Sequence, residues 1–196
     1  MNPRLFSLLL LWFVLVYPAA SFLHAAPTQP GTYQKWNGEI DEVIVRVPFR
    51  ADDFRDILVE PFDLTRVAVP ERQGESGKAV AAGLPALKPA FMEELQSNLR
   101  RRTPASGAPA RALVVRIHVV KADPGTRFPA FGDLQANSAK LAVRGELVDR
   151  TTNRTLLLFK QERWSGVVTI GKNSNQLLAD AARLIGHDVA ELISAF

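Results

Sequence analysis

Residues 139–164 read AKLAVRGELVDRTTNRTLLLFKQERW. In the first part Leu141, Val143 and Leu147 alternate with Lys140, Arg144 and Glu146, the period-two pattern of a strand with one apolar and one polar face. After the turn TTNR comes TLLLFKQERW, and Asn153 suits the left-handed backbone that a tight hairpin requires. Two strands joined this closely must pair antiparallel. A lone hairpin with one apolar face is marginal in water, so it needs more strands beside it and a cover over that face. The rest of the chain has to supply both.

Further strands are legible. ALVVRIHVVKA, residues 112–122, puts Leu113, Val115, Ile117 and Val119 on one face and Val114, Arg116, His118 and Val120 on the other. EVIVRVPF, residues 42–49, sets Val43, Val45, Val47 and Phe49 against Glu42, Ile44 and Arg46. DILVEPF, residues 56–62, is a shorter strand that Pro61 pushes to a sheet edge or a strand end, because proline cannot donate to a ladder.

The cover comes from two amphipathic helices. PAFMEELQSNLRRR carries Phe91, Met92, Leu95 and Leu99 at helical spacing, with Pro89 suited to a first turn and Arg100, Arg101 and Arg102 in the last, where cations meet the negative end of the helix dipole. From about Asn173 to Ala195, Leu178, Ala181, Ile185, Val189, Leu192 and Phe196 form an apolar stripe flanked by Leu177, Leu184 and Ile193, while Asp180, Arg183, His187 and Glu191 share the opposite face. One stripe implies packing on one face of a sheet. Residues 66–88, rich in Gly, Pro and small residues, read as a loop. Within it GESGKA fails as a phosphate-binding loop, since Arg72 stands where the first glycine belongs and Ala79 where a Ser or Thr should hold magnesium. The fold expected is α+β: a mostly antiparallel sheet of four to five strands with two helices packed on one face, in a single domain spanning residues 39–196.

The N-terminus sets the compartment. Arg4 precedes an apolar run from Leu5 to Val16 and then small residues, the grammar of a secretory signal peptide over residues 1–26. The competing reading is an uncleaved anchor in the inner membrane, since the apolar stretch nearly matches a bilayer; Pro18 and its small neighbours favour cleavage. Residues 27–38 read as a short flexible leader. Removing residues 1–26 takes away only Arg4 among the charged residues, leaving 23 basic against 20 acidic. So small a surplus in an exported, periplasmic protein points to an anionic envelope component or an envelope protein as partner, not to nucleic acid. The chain has no cysteine, hence no disulfide, no thiolate chemistry and no cysteine for a lipid anchor.

Catalytic and metal signatures are absent from the sequence. There is no HExxH, cysteine cluster or EF-hand loop, and Lys78 stands where a GxSxG elbow around Ser76 needs its second glycine. Of three histidines, His24 falls in the signal segment, His118 lies in a strand beside Arg116, and His187 lies on the polar face of the last helix. Each reads as a surface or satisfied histidine. No catalytic residue, metal ligand or cofactor is assigned.

Between the strands ending near Asp123 and beginning near Ala139 runs DPGTRFPAFGDLQANS, far longer than a hairpin needs. Phe128 and Phe131 carry apolar area that a solvated loop disfavours, and Arg127 adds charge. The phenylalanines either fold back over the sheet or are displayed to a partner. Trp164, at the end of the second hairpin strand, is a further contact candidate that could also pack over the sheet edge.

DILVEPFDL, GTRFPAFG and AKLAVRGELVDRTTNRTLLLF, followed by the C-terminal amphipathic helix, resemble a group of uncharacterised bacterial envelope proteins and lipoproteins over roughly residues 56–195. This chain departs from that pattern in lacking a second glycine soon after Gly132 and in lacking a lipidated cysteine. The order of elements also looks like the small α+β domain of the curli secretion lipoprotein and of lipoprotein activators of peptidoglycan synthases, which act through protein contacts. A shared fold transfers no activity; from its own residues the chain reads as an exported, non-catalytic domain that binds another envelope component, with Arg127, Phe128 and Phe131 of the long loop as contact surface and Trp164 as a further candidate. Two alternatives stand beside it: an envelope hydrolase using two carboxylates among Glu60, Asp63, Glu146 and Glu162, and a subunit of a homo-oligomeric envelope assembly.

Overall fold

The computed structural model describes residues 29–70, 77–99, 111–124, 127–129, 135–165 and 173–196. The signal segment and the arginine triplet at 100–102 lie outside them. The chain forms β1 (Gly31–Trp36), β2 (Ile40–Val45), β3 (Asp56–Val59), α1 (Gly77–Gly83), α2 (Leu87–Leu99), β4 (Ala112–Asp123), β5 (Arg127–Pro129), β6 (Gln135–Asn137), β7 (Lys140–Asp149), β8 (Arg154–Trp164) and α3 (Ser174–Ser194). Six strands make one sheet in the order β1-β2-β8-β7-β4-β3, and β5 with β6 makes a separate two-stranded ribbon. All neighbours in the main sheet are antiparallel except β3 and β4, which run parallel. The class is therefore α+β, with a mixed sheet of six strands where four to five were expected.

The additional strand is β1, which occupies half of the supposed leader. Its residues are largely exposed and only Trp36 is buried, so an edge strand here needs no apolar alternation to mark it. Part of the supposed loop at 66–88 is also ordered: α1 passes through a 3-10 turn at Leu84–Ala86 into α2. Small residues bounded by Gly77 and Gly83 hide this short helix in the sequence. Pro89 falls inside the first turn of α2, where a missing N–H costs nothing. The expected edge position of the 56–62 strand holds, as β3 is the last strand of the sheet.

One face of the sheet is buried. Val43, Val45, Leu113, Val115, Ile117, Val119, Leu141, Val143, Leu147, Leu157 and Phe159 join Phe91 and Leu95 of α2 and the stripe of α3 in one core. Gly145 lies in register with Phe159, whose ring covers it so closely that a Cβ there would fall 2.1 Å from a ring carbon. The helices touch just as tightly: a Cβ on Gly186 of α3 would meet the Phe91 carbonyl oxygen at 2.2 Å. Asn173 caps α3, its side chain accepting from Gln176 N at 3.0 Å while Gln176 Oε1 accepts from Asn173 N at 2.9 Å. Leu184, expected beside the stripe, is instead 39% exposed.

Of the buried acids, Asp188 and Asp149 tie parts of this frame together. Asp188 of α3 is 2% exposed and takes a two-pronged contact from Arg163 of β8, Nε to Oδ2 at 2.6 Å and Nη2 to Oδ1 at 2.7 Å. Gln161 also donates to Asp188, and Arg163 Nη1 reaches Glu39 in the β1–β2 turn. The hydrogen bond to Asp188 raises the Arg163 pKa above its already high ordinary value. One ionic cluster thus joins the last helix, a central strand and the first turn.

Asp149, at the end of β7, accepts from Arg111 Nη2 at 2.6 Å, Thr151 N at 2.9 Å and Thr152 Oγ1 at 2.9 Å. Burial by itself would raise its pKa, but the Arg111 and threonine hydrogen bonds prevail and the net shift is downward.

Breaking a buried pair from one side strands the other charge, at a cost of about 3–5 kcal/mol. Asp188→Ala is therefore expected to lower the unfolding temperature by on the order of 10 °C, measured by circular dichroism. Asp149, with its pKa depressed in the fold, adds stability that is present above the unfolded-state value and is lost as pH falls through the folded one. Asp149→Asn should accordingly be less stable than the parent at pH 7, and the gap should narrow as the pH falls below 4 in urea titrations.

Candidate functional site

The long connection between β4 and β7 is a ribbon. Arg127 pairs with Asn137, Phe128 with Ala136 and Pro129 with Gln135. Phe131 lies outside the described residues, as do the side chains of Arg127 and Phe128. The root of the ribbon is firmly set: Ala139 N donates to Ser165 Oγ and Ser165 N to Ala139 O, both at 2.9 Å. In register, Asp123 is opposite Lys140 and Lys140 opposite Trp164. Trp164, distant in sequence from the ribbon, thereby stands in the same cross-strand row as its root. It is 54% exposed and lies on the face of the sheet away from the helices, with Lys140 Nζ 4.3 Å from its ring centroid. Lys140 also pairs with Glu162 at 2.8 Å.

The same open face holds a groove of about 280 Å³ between the chain following β3 and strands β4 and β7. Glu60, Pro61 and Asp63 form one wall, and Arg116, His118, Arg144, Glu146 and Leu158 lie along the floor. The wall follows β4 through Glu60 N to Val115 O at 3.1 Å, Asp63 N to Ile117 O at 2.9 Å and Val119 N to Asp63 O at 3.0 Å. Two side-chain pairs cross from wall to floor, Glu60 with Arg116 at 2.9 Å and Asp63 with His118 at 2.8 Å. Thr65 caps Asp63 from the other side, Oγ1 at 2.7 Å and N at 3.0 Å. These Thr65 bonds, then the His118 contact, bring the Asp63 pKa down to about 2.

Three of the four carboxylates singled out in the sequence, Glu60, Asp63 and Glu146, therefore share one groove, while Glu162 belongs with Lys140. Their convergence follows from the parallel pairing of β3 with β4, a long-range contact that no local pattern announces. Acid–base work by two carboxyls needs environments that push their pKa values apart, with one raised to hold its proton. Asp63 is pushed the opposite way, and Glu60 is bound by Arg116. His118 and Asp63 make an oriented pair, but among the described residues no serine, threonine or cysteine lines the groove. Elsewhere, His187, Asp188 and Glu191 bring donor atoms within 4.8 Å of one another. Asp188 is committed to Arg163 and Glu191 accepts from Asn37, which makes this a structural cluster.

Removal of the Thr65 hydroxyl is expected to lift Asp63 toward the ordinary aspartate range. In a pH titration of side-chain carboxyl carbons by NMR, Thr65→Val should shift the Asp63 midpoint upward from about 2, and an unmoved midpoint would contradict the assigned cause.

Among the described residues no helix is long and apolar enough to cross a membrane. No family model matches the chain, and no curated protein matches it. Solved structures similar to it include the PelC dodecamer from Paraburkholderia phytofirmans, at 11% identity and TM-score 0.35, covering 78% of this chain and 93% of that one. A DUF330 protein from Xanthomonas campestris matches at 15% identity and TM-score 0.36, covering 71% and 84%. A minor lipoprotein from Acinetobacter baumannii matches at 19% identity and TM-score 0.29, covering 71% and 89%.

Proposed function

We propose that the chain is an exported, non-catalytic domain of the bacterial envelope that binds another envelope component, and that its contact surface is the end of the sheet where Trp164 meets the β5–β6 ribbon. The observation that carries the reading is Trp164 itself. A tryptophan left 54% exposed on an open sheet face, in the row from which a ribbon bearing Arg127 and Phe128 departs, is the kind of anchor that dominates protein interfaces. Partner binding would bury the indole, with Lys140 and Arg127 supplying orientation. The N-terminal segment directs the domain to the periplasm, and the partner is an envelope protein or an anionic envelope component.

Convergence of Glu60, Asp63 and Glu146 in the groove favours the hydrolase as the second reading. The low Asp63 pKa and the Glu60–Arg116 pair weigh against it.

A photo-crosslinking residue placed in living cells at Trp164, or at Phe131, is expected to capture one specific envelope protein, whereas the same residue at Asp180 on α3 captures none. Phe128→Ser combined with Phe131→Ser should leave the protein folded and abolish capture from Trp164. If the double variant unfolds, the ribbon phenylalanines are core and the contact surface is misplaced; if folded, exported protein yields no capture, the binding reading fails.

A further inference from the structure

The sheet ends in two edge strands, β1 and β3, and they differ in charge. A proline borders each, Pro30 before β1 and Pro61 shortly after β3. β3 begins at Asp56 and is followed directly by Glu60, and charge along an edge is one of the means by which sheets keep from pairing with another chain. β1 contains no acid, and its one cation, Lys35, is neutralised within its own hairpin by Asp41 at 2.9 Å. Lys35, at φ 52°, closes the regular part of the strand and leaves residues 31–34 as an uncharged edge. Among the described residues β1 pairs with β2 alone, and Gly31, Thr32 and Gln34 are exposed.

An unpaired edge offers N–H and C=O groups to any extended chain that reaches it, and threonine and tyrosine favour such pairing. A second copy of β1 fits this edge. A two-fold axis normal to the sheet runs the two copies antiparallel and sets one residue opposite itself. With Thr32, Tyr33 or Gln34 on the axis, Lys35 falls opposite Gln29, Gly31 or Tyr33, all uncharged. The same operation at β3, centred on Leu58, sets Asp56 against Glu60, and like charges directly opposite disfavour a sheet. The helical layer is set back from the β1 edge. α3 is seated on β7 and β8, with β2 between them and β1, and α2 lies toward the other edge, where Phe91 meets Phe62.

We propose that β1 is a self-association edge, through which two copies of this chain pair antiparallel and continue one six-stranded sheet into the other. The edge shares no residue with the Trp164 surface, so either can fail with the other standing.

Sedimentation velocity of the exported protein between about 1 and 500 μM should show monomer passing to dimer, the range in which so small an interface dissociates. Thr32→Lys combined with Gln34→Lys sets like charges across the axis and should weaken the dimer about tenfold or more with circular dichroism unchanged. Leu58→Lys on β3 should leave the dimer as in the parent. Because the chain has no cysteine, Thr32→Cys, Tyr33→Cys and Gln34→Cys each carry a single thiol, and the one on the axis should form a disulfide-linked dimer on mild oxidation. A photo-crosslinking residue at Gln34 in living cells should give an adduct of twice the protein's mass. An adduct with another protein in its place hands the edge to that partner's strand and overturns the second copy as its occupant. Monomer throughout the range, or a dimer that the two lysines leave intact, overturns the proposal outright.

Discussion

Burial of one sheet face, and only one, is the constraint from which the rest of this structure follows. The inward residues of β2, β4, β7 and β8 must be apolar because α2 and α3 lie on them, and their neighbours along each strand must tolerate water. The outward set is therefore where charge accumulates: Glu42, Arg116, His118, Arg144, Glu146, Lys160 and Glu162 all lie on strands whose alternate residues form the core. Pleating then aligns these outward residues into cross-strand rows without further instruction from the sequence. The groove and the tryptophan row are two consequences of the same one-sided packing.

The fit between the two layers depends on places where side chains are absent as much as on those that fill space. Gly186 lets α2 and α3 approach to backbone contact, and Gly145 receives the Phe159 ring on the sheet. The ionic contact of Asp188 with Arg163 adds direction to this otherwise nondirectional packing, because a two-pronged guanidinium–carboxylate contact is satisfied at one rotation of α3 and not at its neighbours.

Most of the architecture was legible where burial imposes a period. β4, β7, β8 and α3 each bury one face, and each was readable from its apolar spacing; Asn153, at φ 51°, takes the left-handed backbone its place in the turn implied. β1 and α1 escaped because neither is marked by an apolar period: the first is an edge strand and the second a single short stretch of small residues. Asp188 escaped for another reason. An acid on an amphipathic helix reads as solvent-facing, and only the spatial neighbour Arg163 makes its burial tolerable. For the candidate site, Trp164 and the groove carboxylates Glu60, Asp63 and Glu146 could each be named from the sequence, but not which of them share a row or a groove. Register across strands far apart in sequence decides which residues share a row.

The groove is asymmetric in how its two sides are held. Its floor belongs to β7, laddered on both edges, and to β4, laddered with β7 throughout but with β3 only from Ala112 to Val115. Its wall, by contrast, is the chain after β3, which rejoins β4 only at single bridges at Asp63 and Ala68. Local opening follows the weakest ladder, so the wall can peel while the floor keeps its shape. The Glu60–Arg116 and Asp63–His118 contacts, which tie that rim to the floor, would then act as its latches.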